Sequence, residues 1–240
     1  VDIIAHYVKN HVRAIIDGGK GIIYLSGGHD SRMVLAACNH FKERITCESL
    51  KKKGNPDSLI AAKVASHVGV RHRIIDVIPT PRQEVYNWLH RTGYTFYDPL
   101  TELAETARIN DRNYHIMDGT GAEITRASNW LPEDIDKVRL NVDTLLKRIR
   151  MPDLPIIHQS AQRWLQQLPH VDATTGLDIA KIELIHGCWA GVGVYGHMTS
   201  FPTLSPFSGM MINELSIRLP KEYKLRGDFY YDFISYVWNC

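Results

Sequence analysis

The sequence predicts an α/β fold, a parallel sheet with helices on both faces, followed by a mainly helical C-terminal half. Three observations predict it. Apolar runs of strand length alternate with helical stretches in the first half, two of those runs end abruptly in glycine-containing loops, and the strand signal fades from about Ser128 onward. The chain opens on a helical pattern, with Ile3, Ile4, Tyr7, Val8, Val12 and Ile15 on one face. Strand and helix then alternate as Gly21 to Leu25 and Asp30 to Phe41, Arg44 to Ser49 and Asp57 to Val68, and His72 to Val77 and Arg82 to Arg91. A fourth unit has a helix over Thr101 to Asn110 and a strand over Tyr114 to Met117. Beyond it, Leu140 to Ile149, Ala161 to Leu168 and Leu177 to His186 read as helices, separated by Pro152, Pro155 and Pro169. The expected division is an α/β core over 1–127 and a helical, substrate-shaping region over 128–240, packed together as one domain.

The first chemistry-bearing segment is Ser26-Gly27-Gly28-His29-Asp30-Ser31, directly after the apolar strand Ile22-Ile23-Tyr24-Leu25. A strand, a glycine turn and a helix N-terminus together make an anion site. The glycines allow close backbone approach, and the unpaired N–H groups of the first helical turn point at the ligand. Ser26 and Ser31 add hydroxyl donors. The segment is neither a GxxxxGK[ST] phosphate loop nor a dinucleotide GxGxxG fingerprint. It resembles the pyrophosphate loop of the adenine nucleotide α-hydrolase superfamily, whose members split ATP between its α and β phosphates.

The second segment, Asp118-Gly119-Thr120-Gly121-Ala122-Glu123, also follows a predicted strand. Ligands of open parallel sheets bind beyond the carboxyl ends of strands, so both loops are expected to face one crevice. Asp30 and Glu123 then approach each other across a triphosphate, as a carboxylate pair for Mg²⁺.

The order of further landmarks resembles the synthetase domain of the asparagine synthetase family. Leu25 to Ser31 matches its LSGGxDS loop. Asp57 with Ala61, Val64, Ala65, Gly69 and His72, then Asp98-Pro99-Leu100, Gly119 and Gly121, Ser205-Pro206-Phe207, and Leu219-Pro220-Lys221-Glu222-Tyr223-Lys224-Leu225-Arg226-Gly227 follow in order over nearly the whole chain. The resemblance implies an ATP-dependent carbon–nitrogen ligase that adenylates a carboxylate, releases pyrophosphate and passes the acyl group to ammonia or another amine. Carried over, Leu25, Ser26, Gly27, Gly28, Asp30, Ser31 and Gly119 hold ATP, and Asp30 and Glu123 bind Mg²⁺. The chain departs from the family at Thr120, where the family has Glu, and at Glu123-Ile124, where it has Asp-Glu. The family lysine beyond the LRG segment is replaced by Asp228-Phe229-Tyr230-Tyr231-Asp232. Lys221, Lys224 and Arg226 are candidates for its role, with Lys224 taken as the catalytic one, against a reading of all three as surface charges on a helix end. The departures keep open a regulatory or catalytically degenerate nucleotide binder.

Composition narrows the remaining classes. A net charge of +2 supplies no field that argues for nucleic acid or a membrane, and Cys38, Cys47, Cys188 and Cys240 form no CxxC pair. Reduced thiols in a cytoplasmic protein are expected. A sulfur- or RNA-modifying relative of the superfamily predicts a thiolate near the loop, where Cys38 and Cys47 lie in a helix and a strand. The expected partners are a small-molecule carboxylate, an amine or ammonia, and a glutaminase domain or subunit outside these residues. Arg32, one position past the loop, is read as a phosphate or acceptor contact or a surface ion pair. His186, Trp189, Tyr195 and His197 are read as packing or capping residues, and Lys51-Lys52-Lys53 as a solvated surface.

Overall fold

A computed structural model describes residues 1–51, 54, 56–77, 79–94, 114–196 and 203–239. Its sheet, among these residues, has five parallel strands, β1 (Lys20–Tyr24), β2 (Ile45–Lys51), β3 (His72–Asp76), β4 (Tyr114–Met117) and β5 (Thr203–Leu204), in the order β3-β2-β1-β4-β5. The chain steps outward from β1 to β2 and β3, then returns to the other side of β1 for β4. The carboxyl ends of β1 and β4 are therefore neighbours at the point where strand order reverses, which is where open α/β sheets bind ligands. The register fixes this closely, pairing Ile22 with Ile116 and Ile23 with Met117.

Helices cover both faces, as the alternation predicts. Among the described residues these include α1 (Asp2–Asp17), α2 (His29–Ala37), α3 (Asp57–Val68), α4 (Arg82–Arg91), α5 (Val142–Ile149) and α6 (Pro155–Gln167). Helix α7 (Ala173–Ala180) runs on into a π-helical stretch, Lys181–Ala190, and then α8 (Gly191–Gly196); α9 (Met210–Ile217), α10 (Lys221–Arg226) and α11 (Asp228–Asn239) end the chain. Helix α1 buries Ile4, Ala5, Val8, Val12 and Ile16, so its buried face is turned slightly from the expected one and Ile3 lies exposed. Helix α3 stops at Gly69, which takes the left-handed conformation (φ 75°) that a side chain would strain.

Several boundaries differ from expectation. The helix expected over Asp30 to Phe41 ends at Ala37 and tightens into a 3₁₀ turn, Asn39–Arg44, with a kink at Phe41. Helix α6 begins at Pro155, six residues before the expected Ala161, because proline at a first helical position already has a helical φ and lacks only an N–H that would be unpaired. Strand β5 was not foreseen, since two residues carry no periodicity. The expected helix over Thr101 to Asn110, the Asp98-Pro99-Leu100 landmark, Lys52, Lys53, His197 and Cys240 lie outside the described residues.

Among the described residues, most buried apolar side chains fall into two clusters. One joins α1, β1, α2, β2 and α3 and includes Phe207, Ile212, Phe229, Phe233 and Val237 from the C-terminal end. The other contains Trp130, Leu145, Leu146, Ala161, Leu177 and Ala180.

Candidate active site

The first loop holds its shape through its own hydroxyls. Ser31 Oγ accepts from the Ser26 N–H at 3.1 Å and lies 3.1 Å from Ser26 Oγ, while Gly28 N–H donates to Ser26 Oγ at 3.1 Å. Gly27 N–H donates to Asp57 Oδ1 at 3.3 Å, which ties the loop to the start of α3. Arg32 turns back on the loop, donating to the carbonyls of Gly27 at 2.8 Å and Gly28 at 3.0 Å. The surface ion pair expected as one alternative is thus replaced by bonds to the loop backbone. Because the Gly28–His29 peptide is planar and trans, the His29 N–H points away from Arg32, with the N-terminal end of α2 behind it.

The second loop is braced by the C-terminal landmark. Asp118 Oδ1 accepts from Thr120 N–H at 3.0 Å and from Ser205 Oγ, and Asp118 N–H donates to Leu204 carbonyl at 3.2 Å. Gly121 takes φ 91° beside the Phe207 carbonyl, so the Ser205-Pro206-Phe207 run serves as the wall against which this turn is built. Burial raises the Asp118 carboxyl above the ordinary range, against the bonds from Ser205 and Thr120.

The two loops meet. A Cβ on Gly119 would lie 2.6 Å from the Asp30 carbonyl carbon and 2.8 Å from Ser31 N, so only glycine permits this approach. Asp30 and Glu123 face one region. Burial raises the Asp30 carboxyl, the Arg126 charge opposes that rise, and the Glu123 charge adds to it. Arg126 donates to Asp30 Oδ2 at 2.6 Å, whereas Asp30 Oδ1 is buried without a hydrogen-bond partner. Glu123 has both oxygens engaged: Oε2 accepts from Gly121 N–H at 2.9 Å, and Oε1 lies 2.9 Å from His186 Nε2 and 3.6 Å from Lys181 Nζ. Burial pushes Glu123 up, but the bond and charge of His186 and the charge of Lys181 outweigh it and hold the carboxyl at about 2.

Among the described residues no group of three or more His, Cys, Asp or Glu is arranged to hold a metal. The open oxygen on Asp30 nevertheless fits a hard cation, since Mg²⁺ is commonly bound by one or two carboxylates with waters and substrate phosphates completing its shell.

Lys224 is not a surface charge. It is 1% exposed, and its ammonium donates to the buried carboxylate of Asp178, whose other oxygen accepts from Trp130 Nε1 at 3.1 Å. Burial raises Asp178 to about 6 and lowers Lys224, each against the attraction of the other. The Lys224 carbonyl accepts the Ala127 N–H at 3.1 Å, so this pair anchors the backbone just past the second loop. Lys221 reaches Asp172 at 3.2 Å, and Arg226 is paired with Asp228 on the surface.

Sequence reasoning missed Arg126 and Lys181 and read His186 as packing. Arg126 had a local signal, three positions after Glu123 in a helical turn. His186 and Lys181 had none, because their proximity to Glu123 comes from the π-helical stretch crossing back over the loop.

The sheet is parallel, and its switch point gathers the serine–glycine loop and a second, acidic loop, the place where open α/β sheets bind ligands. The family model of asparagine synthase matches residues 4–112. The match spans a little under half of the 240 residues and ends before the second loop. No curated protein gives a significant match. Among the described residues, no helix is long and apolar enough to cross a membrane.

Proposed function

We propose that the protein adenylates a small-molecule carboxylate with ATP and transfers the acyl group to ammonia or another amine. A carboxylate oxygen attacks the α-phosphorus, and the bond to the β-phosphate oxygen breaks, so pyrophosphate leaves with the electron pair. The amine nitrogen then attacks the acyl carbon, AMP leaves, and the nitrogen gives up a proton. Catalysis of this kind rests on positioning and on neutralising charge rather than on a protein nucleophile.

The observation that carries the reading is the contact between the two loops, with Gly119 packed on the backbone of Asp30 and Ser31. In this reading Leu25, Ser26, Gly27, Gly28, Asp30 and Ser31 hold the polyphosphate and Gly119 lets the nucleotide approach. Asp30 and Glu123 would hold Mg²⁺, which supplies neutralisation of phosphate charge. Lys224, paired and buried, positions the backbone beyond Glu123 and does not touch reacting atoms. Residues 1–127 form the ATP-splitting core and 128–240 shape the acceptor side, with nitrogen drawn from free ammonia, another amine, or a glutaminase domain or subunit.

Exchange of labelled pyrophosphate into ATP, with Mg²⁺ and a panel of carboxylates, tests the reading. Carboxylate-dependent exchange is expected. ATP binding without exchange for any carboxylate would favour the second reading, a nucleotide binder without ligase activity. One observation supports that alternative: both Glu123 oxygens are engaged by the protein itself. Thiolate chemistry has less support, since burial pushes Cys47 up to about 12 and Cys38 higher still.

A further inference from the structure

The cations around the two loops are not equivalent. Lys181 and His186 are both spent on Glu123, Arg32 is turned onto the loop carbonyls, and Lys224 is sealed against Asp178. Arg126 differs from all of them. Its side chain is 37% exposed, and Asp30 Oδ2 is the single hydrogen-bond partner of its guanidinium among the described residues. The remaining N–H donors of its planar fork are open, beside the loop whose glycines and hydroxyls form the anion cradle. Its backbone is held on both sides. Arg126 N–H donates to the Glu123 carbonyl at 3.3 Å, and the next residue is held by the Lys224 carbonyl, itself anchored through Asp178 to Trp130.

We propose that Arg126 contacts the β- and γ-phosphates of bound ATP and the departing pyrophosphate, supplying at this loop the positive charge that the segment after Arg226 lacks. The proposal rests on the ATP-dependent reading above and identifies one of its charge-neutralising residues. Planar guanidinium donors match phosphate oxygens in pairs, which an ammonium does not. In the free protein the same guanidinium neutralises Asp30. A ligand that brings both a divalent cation and phosphate oxygens gives Asp30 and Arg126 a new partner each, so the exchange leaves neither charge unpaired.

The test is calorimetric titration of Mg-ATP, Mg-pyrophosphate and AMP into the wild-type chain, Arg126→Met and Arg126→Lys, with thermal melts as the folding control. The proposal predicts that Arg126→Met weakens Mg-ATP and Mg-pyrophosphate by about tenfold or more, the scale of a lost charge-assisted pair, and leaves AMP within about twofold. Arg126→Lys keeps the fold and recovers only part of the pyrophosphate affinity, and it carries the test if the methionine variant does not fold. If Arg126 only neutralised Asp30, its removal would leave pyrophosphate affinity unchanged or tighter, and that result overturns the proposal alone. A wild-type chain that binds neither Mg-ATP nor Mg-pyrophosphate overturns the proposal together with the function it rests on.

Discussion

Gly119 carries more of the site than its lack of a side chain suggests. Alanine there would place a methyl 2.6 Å from the Asp30 carbonyl carbon, a backbone atom that cannot step aside as a flexible side chain can. The loops must then part, so Gly119→Ala is expected to weaken Mg-ATP by about tenfold or more, with the loss read by calorimetry; unchanged affinity would mean the close approach is irrelevant to nucleotide. The buried thiols make a second expectation. Cys38 and Cys47 should resist a thiol reagent in the native protein and react once it is unfolded, and the Cys38→Ala, Cys47→Ala pair should keep its ATP affinity; loss of binding would revive thiolate chemistry. At this scale the meeting of the two loops was readable, because each is six consecutive residues directly after a strand. The partners of Asp30 and Glu123 were not, since His186 lies 63 positions from Glu123 and Arg126 lies 96 positions from Asp30.

Elements in the second half are fastened by buried charge. Asp134 is fully buried, accepting from Arg148 Nε at 2.6 Å, Lys137 Nζ at 2.7 Å and Leu131 N–H at 3.0 Å, and so links the Pro132–Asp134 turn to α5. Burial pushes its carboxyl up, but these bonds outweigh burial and hold it at about 2. Its folded value is thus below the roughly 3.9 of an unfolded aspartate, so its stabilisation is complete above that value and is lost as pH falls through the folded one. Urea midpoints should therefore show wild type more stable than Asp134→Asn at pH 6, with the gap closing between about pH 4 and pH 2; a gap independent of pH would contradict this origin. The Asp178–Lys224 pair ties α7 to α10 in the same manner. Asp178→Ala should cost about 3–5 kcal/mol in urea unfolding because it strands a buried ammonium, whereas Asp178→Leu with Lys224→Met should cost far less; equal losses would argue against stranding as the cause. Helices with a 3.6-residue apolar stripe were legible here, but buried ion pairs between them were not, because a charged residue has the same appearance in sequence whether it faces water or a partner 46 residues away.

Across the whole molecule, the strand order makes the site. Parallel pairing of β1 with β4 brings the loops that carry Asp30 and Glu123 together, and Phe207, Phe229 and Phe233 fold the C-terminal helices back onto the sheet's own core. The Phe207 and Phe233 rings lie 5.4 Å apart and both are fully buried, so Phe233→Ala should destabilise the chain by about 3–5 kcal/mol in denaturant unfolding, and a loss under 1 kcal/mol would show that α11 is not part of that core. The alternation of strands and helices was legible over the described residues of the first half, whereas this return was visible only as landmarks in order, since nothing local says which surface a distant aromatic covers. The most direct test of the account is a double-mutant cycle on Mg²⁺-dependent ATP affinity with Asp30→Asn and Glu123→Gln. Two carboxylates serving one cation predict that each substitution abolishes most of the Mg²⁺ dependence and that the pair together costs much less than the sum. Independent, additive losses, or ATP binding indifferent to Mg²⁺ in the wild type, would contradict it.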